Sequence, residues 1–128
     1  MLKRNELTAY AIDFVSYLLS KVENSEINRI ILHGSVARED FDEESDIDLF
    51  IDIRDNKSEK RVNKILENYY KTNSYKEWEL KGLTNKISII AGKLDSEEWK
   101  DLKRAIMNTG VMLYGKYNAD IELNICFI

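Results

Sequence analysis

Residues 46–53 read DIDLFIDI, and this alternation limits the possible folds more than any other stretch of the chain. In an extended strand, side chains two apart share a face. Ile47, Leu49, Ile51 and Ile53 therefore line one face, and Asp46, Asp48, Phe50 and Asp52 line the other. One face is built to pack, while the other gathers carboxylates. Asp46 and Asp48 would stand about 6–7 Å apart, since a strand rises about 3.3 Å per residue. That gap is too wide for two carboxyls to share a proton. It suits a joint grip on one divalent cation, or on two cations side by side. Hard oxygen ligands of this kind favour Mg²⁺ or Mn²⁺, which bind through a few carboxylates together with substrate phosphates.

Gly34 and Ser35 supply the complementary half. They follow the apolar run INRIILH and precede VARED, which reads as a single helical turn. Backbone N–H groups at such a turn are free to point at an anion. Glycine lets the backbone approach closely, and the Ser35 hydroxyl can add a hydrogen bond. A phosphate-holding turn beside a metal-holding acid pair is the layout that metal-assisted phosphoryl or nucleotidyl transfer requires.

The rest of the chain supplies the scaffold. Leu7, Ala11, Phe14, Val15, Leu18 and Val22 recur at helical spacing, which predicts an amphipathic helix over 5–23. FDEES reads as a loop, so Asp42, Glu43 and Glu44 are expected to be solvated charges. Ser58 is placed to cap a helix carrying Val62, Ile65, Leu66 and Tyr69. YKEWELKGL and KISIIAGKL look like two strands joined by a tight turn at Thr84 and Asn85. Asp95 and Glu98 form a capping-box pattern before a helix with Trp99, Leu102, Ala105 and Ile106 inward, ended by Gly110. VMLYG and IELNICFI are the last strand candidates, and the apolar NICFI invites cover by a partner or another copy. The expected order is α-β-turn-β-α-β-β-α-β-β. It makes a single α+β domain over 1–128, a mixed sheet with helices mainly on one face.

Composition narrows the function classes. The 128 residues carry 33% charged side chains and a net charge of −4, so a basic nucleic-acid surface is not the default expectation. Cys126 is the only cysteine, which excludes an internal disulfide, fits a reducing compartment and reads as a small buried hydrophobe. No apolar run reaches the roughly 20 residues that span a membrane. The N-terminus leads into an amphipathic helix instead of a signal peptide, so a cytoplasmic protein is expected.

Gly34-Ser35, ten intervening residues and then Asp46-x-Asp48 resemble the signature of the DNA polymerase beta-type nucleotidyltransferase superfamily. GSVAR followed by SDIDLFI is most similar to the minimal nucleotidyltransferases of bacteria and archaea. Those often work beside a separate helical partner, some as antitoxins that adenylylate a toxin. The resemblance implies that Asp46 and Asp48 coordinate Mg²⁺ or Mn²⁺, and that Gly34 and Ser35 hold the β- and γ-phosphates of a nucleoside triphosphate, ATP first. Arg38 matches the motif arginine, with a possible contact to phosphate. The implied reaction is in-line attack by an acceptor hydroxyl on the α-phosphorus, releasing pyrophosphate. A helical partner protein or a homo-oligomer is compatible with the same resemblance.

The superfamily also places a third carboxylate on the strand after the next helix. If YKEWELKG is that strand, Trp78 and Leu80 face the core, and Glu79 stands with Asp46 and Asp48 as the third metal ligand, with Glu77 in reserve. KISII would otherwise offer only Ser88. Two positions depart from the motif: Glu39 stands where glycine is common, and His33 where a large apolar residue is usual. Glu39, the open identity of the third carboxylate and the apolar C-terminal strand support an alternative, a catalytically degenerate module that binds nucleotide or a partner, or the catalytic part of a longer or two-component system such as a toxin-antitoxin pair. Asp52 is expected to be structural, and His33 a satisfied interior residue. Trp78 and Trp99 are read as core residues, and Tyr69, Tyr70, Tyr75, Tyr114 and Tyr117 as a possible partner surface.

Overall fold

The computed structural model describes residues 3–115 and the backbone of 126–127. In chain order the elements are α1 (Arg4–Leu19), β1 (Ile27–His33), α2 (Gly34–Arg38), β2 (Ile47–Ile53), α3 (Ser58–Tyr69) and α4 (Asn73–Leu80). They continue with β3 (Ile87–Gly92), a 3-10 turn (Glu97–Trp99), α5 (Lys100–Thr109), β4 (Val111–Gly115) and β5 (Cys126–Phe127). The strands form one mixed sheet in the order β3-β2-β1-β4-β5. β1 runs antiparallel to β2 and β4, whereas β2–β3 and β4–β5 are parallel. The α+β class and the mixed sheet expected from the sequence are both present. Tyr117, most of IELNICFI and the Cys126 side chain lie outside the described residues.

The alternation in β2 divides the molecule as expected. Ile47, Leu49, Ile51 and Ile53 join Ile30 and Leu32 of β1 in the larger core, against Leu7, Tyr10, Phe14 and Leu18 of α1 and Val62 and Tyr69 of α3. Asp13 on α1 ties the helices together. Its Oδ2 accepts hydrogen bonds from Tyr69 Oη (2.7 Å), Ser74 Oγ (2.6 Å) and Trp78 Nε1 (3.0 Å). Burial alone would raise the Asp13 pKa, but these three donors outweigh it and hold the carboxyl below its ordinary value.

The opposite face is half covered. Ile31 and Phe50 form a smaller core with Leu94, Ile106 and Met112, and α5 with the 3-10 turn closes it. "Mainly on one face" is thus correct for α1, α3 and α4, with α5 as the helix across the other. Between these covers lies a buried charge network. Arg29 Nε donates to Asp52 Oδ2 at 2.7 Å, with both residues under one-tenth exposed. Arg29 Nη2 also donates to both oxygens of Asp95 at 3.2 Å, and Lys103 Nζ donates to Asp95 Oδ1 at 2.6 Å. Leu94 N–H donates to Asp52 Oδ1 at 3.0 Å. Asp52 is therefore structural, as expected.

Three local readings are corrected. The segment read as the strand YKEWELKGL is mostly helix α4. Thr72 caps it, its hydroxyl accepting from Tyr75 N–H at 3.2 Å. Gly82 ends it at φ 88°, where Gly82 N–H bonds Glu79 O and Leu83 N–H bonds Trp78 O, both at 3.0 Å. That pair of bonds is a left-handed glycine stop, satisfying carbonyls the helix leaves open. Trp78 packs toward the core but Leu80 is 88% exposed, so the apparent period of two is accidental. Asp95 does not cap a helix; the Arg29 and Lys103 charges hold it, and Ala105 is exposed. Ser58 likewise makes no cap: its hydroxyl donates to Glu26 at 3.4 Å, while the Asp55 carboxylate takes the Lys57 N–H at 3.0 Å.

Candidate functional site

The uncovered end of the second face is where the motif residues meet. His33 at the end of β1 pairs with Asp48 of β2, and Asp48 pairs in turn with Ser88 of β3. Paired residues point to the same side of a sheet, so His33, Asp48 and Ser88 form a row across three strands. α2 starts immediately after His33, which brings Gly34 and Ser35 to the same end.

Gly34 is the tightest point. Its φ is 72°, in the left-handed region, and a Cβ built on it would stand 2.2 Å from Asp48 Oδ2. Only glycine allows the turn and the carboxylate to share this space. Gly34→Ala is expected to lose about 1–2 kcal/mol from the backbone conformation alone, with a further loss from displacing Asp48. Urea denaturation measures the total loss, which should exceed the backbone part.

Electrostatics agree with the geometry. Burial raises the Asp48 pKa, and the neighbouring Asp46 carboxylate raises it further, while Arg38 pulls it down. Asp46 itself is exposed and half-buried Asp48 lies beside it, a like-charge pair that a cation would relieve. Burial, with Arg38 second, lowers the His33 pKa to about 4, so the imidazole is neutral at pH 7. Its Nε2 is buried and has no hydrogen-bond partner among the described residues, which corrects the reading of His33 as a satisfied interior residue.

By donor type, the Asp46 and Asp48 carboxylates would suit a hard divalent cation such as Mg²⁺ or Mn²⁺. The expected third carboxylate does not join them. A strand at YKEWELKG would set Glu79 and Glu77 beside Asp48; both instead stand exposed on α4. The Glu79 charge acts on Tyr10 and Tyr75, and among the described residues no three His, Cys, Asp or Glu side chains form a metal-holding group. The strand next to β2 is β3, and the residue in register with Asp48 is Ser88.

Arg38 is half exposed, with its Nε 3.2 Å from Asp40 Oδ2. Glu39, which ends α2, adopts φ 65° and pairs with Arg4 at 3.0 Å. A left-handed φ explains why glycine suits this position. Glu39→Gly should relieve about 1 kcal/mol of backbone cost, partly offset by losing an exposed ion pair worth roughly 0–1 kcal/mol. A small rise in Tm is the expected result.

One residue that the sequence reading took for a turn has a second role here. Asn85 is buried, and its Nδ2 donates to Ser45 O at 2.9 Å and Glu43 O at 3.2 Å, the carbonyls just before Asp46. Lys86 O accepts from Ile47 N–H at 2.8 Å, and Tyr10 Oη donates to Asn85 O at 3.2 Å. The acidic loop is thereby tied to the start of β3 and to α1. The only sequence sign was an asparagine between two elements. Tyr70 is similar: its hydroxyl accepts from Ile87 N–H at 3.0 Å.

Residues 16–119 match the family model described as "Polymerase beta, Nucleotidyltransferase". A 49-residue stretch is 39% identical to a protein of Methanocaldococcus jannaschii named "Putative protein adenylyltransferase MJ0141". The match covers 38% of this chain, and the chain spans about half the length of that relative. The strand-turn-strand frame around Gly34, Asp46 and Asp48 and the span of the family match lead to one assignment: the chain belongs to the polymerase beta nucleotidyltransferase family.

Proposed function

We propose that the chain transfers AMP from ATP to a hydroxyl group, with Mg²⁺ or Mn²⁺ held by Asp46 and Asp48. The close approach of Gly34 to Asp48 carries this reading, because it brings the Gly34-Ser35 turn against one carboxylate of the pair. The name of the Methanocaldococcus relative supports adenylyl transfer and a protein acceptor. When bound, the metal would neutralise charge on the triphosphate and on the leaving pyrophosphate.

The chain's own residues do the rest. Gly34 and Ser35 present N–H groups and a hydroxyl to the β- and γ-phosphates, and Arg38 adds positive charge at the same end. In the transfer, the acceptor oxygen bonds to the α-phosphorus, the bond to the β-phosphate oxygen breaks, and pyrophosphate leaves. The hydroxyl proton goes to solvent or to a neighbouring carboxylate. His33, neutral at pH 7, adds no positive charge beside Asp48. The test uses ATP labelled at the α- or the γ-phosphorus. Label should reach an acceptor from the α position only; transfer from the γ position would point to a kinase and overturn the reading.

Ser88 favours a second reading. With a hydroxyl where the superfamily carries its third carboxylate, the chain could bind the metal–nucleotide and transfer it slowly or only with a partner. Nucleotide binding without metal-dependent pyrophosphate release would select this reading.

A further inference from the structure

We propose that the outer edge of β3 binds an extended, basic segment of a partner protein, added to the sheet as a further strand. β3 is the outermost strand on its side, and among the described residues no strand pairs with its free edge, whose first N–H, that of Ile87, is taken by the Tyr70 hydroxyl at 3.0 Å. Sheets normally guard such an edge with charge, proline or a bulge. β3, ISIIAG, has no charged residue and no proline, and its pairing with β2 runs without a register shift. Both β1 pairings, by contrast, contain one.

The edge lies in a groove of about 420 Å³ that takes in residues 89–92. Glu59 and Asn63 of α3 form one wall, and Glu98 and Trp99 of the 3-10 turn form the other. Glu59 and Glu98 are exposed, and neither carboxylate has an ion pair among the described residues. Beyond Ile87, the outward N–H and C=O groups of Ile89 and Ala91 call for an extended backbone, and the two acidic walls call for Lys or Arg side chains. Lys86 and Lys93 stand at the two ends of β3, so the basic side chains belong at the middle of the slot. A second copy paired edge to edge would bring Glu59 and Glu98 against their own counterparts, which disfavours self-association.

The groove starts one residue beyond Ser88, which is in register with Asp48. A strand added here would therefore lie alongside the proposed transfer site. That the docked segment carries the acceptor hydroxyl rests on the proposed function; that it docks does not.

The experiment uses two capped heptapeptides, Val-Lys-Lys-Val-Lys-Lys-Val and its counterpart with glutamate for lysine, so that charged side chains face both walls. Binding is followed by calorimetry and by amide hydrogen exchange over 87–92, with no nucleotide present. The lysine peptide should bind and slow exchange in β3, and the glutamate peptide should bind at least tenfold more weakly. Glu59→Lys combined with Glu98→Lys should reverse that preference while leaving the urea midpoint of the protein within experimental error. Equal binding of both peptides, binding of neither, protection elsewhere, or protection of β3 that rises with protein concentration alone would overturn the proposal. Because binding is read without nucleotide, failure here leaves the nucleotide site standing, and loss of that site leaves the docking result intact.

Discussion

Replacing Arg29 with methionine should destabilise the protein by about 3–5 kcal/mol, as is usual when one partner of a buried ion pair is removed. Arg29 and Asp52 are 7% and 4% exposed, so the Asp52 carboxylate would be left charged, with Leu94 N–H as its remaining hydrogen-bond donor. A domain of this kind has roughly 5–15 kcal/mol in total, so the loss is a large part of its stability. Asp95 would fare better, because Lys103 and water still reach it. Adding Asp52→Asn to Arg29→Met should restore at least half of the loss, since Asn removes the stranded charge and keeps an oxygen for Leu94 N–H. Urea denaturation of the two variants checks both values. A loss under 1 kcal/mol in Arg29→Met would mean that the pair has only a marginal role.

Substituting both Asp46 and Asp48 by Asn should lower nucleotidyl transfer at least about 100-fold. The metal is asked to supply several kcal/mol of charge stabilisation, and each 1.36 kcal/mol is a factor of ten in rate. Stability should move the other way. Asp46 raises the Asp48 pKa, a sign of repulsion in the metal-free site, so the double variant should be at least as stable as the wild type without metal. Mg²⁺ or Mn²⁺ should raise the Tm of the wild type, because a ligand that binds only the native state stabilises it. The variant should show no such rise. Rate and thermal shift therefore report the same pair of side chains by independent readouts.

The parts of the fold legible in the sequence were those governed by short-range period. DIDLFIDI alternates over its whole length, and from Ile47 to Ile53 the apolar residues of the two faces join two separate cores, as the alternation requires. The site is local too: Gly34 and Asp48 lie on adjacent elements joined by a short loop, so spacing was enough to bring them together. What was lost depends on less local information. Glu77, Trp78, Glu79 and Leu80 satisfy a period of two by chance, and four residues cannot separate strand from helix. Thr72 and Gly82, a cap and a glycine stop, were the stronger signals, because they answer open backbone groups at both ends of α4. Asp95 could not be read from its neighbours, since the guanidinium that holds it is 66 residues away. Asn85 gave no period at all; its role appears only when its amide meets the carbonyls before Asp46. The third carboxylate failed for the same reason as α4: moving one segment from strand to helix put Ser88 in register with Asp48 in place of a glutamate.

Under the proposed function, Gly34, Ser35, Asp46 and Asp48 form one metal-dependent nucleotide site. Calorimetric titration of ATP with Mg²⁺ into the wild type and into Asp46→Asn/Asp48→Asn tests it most directly. Saturable binding to the wild type that needs Mg²⁺ and disappears in the variant is the expected result. Equal binding to both proteins, or no binding to the wild type, would contradict it.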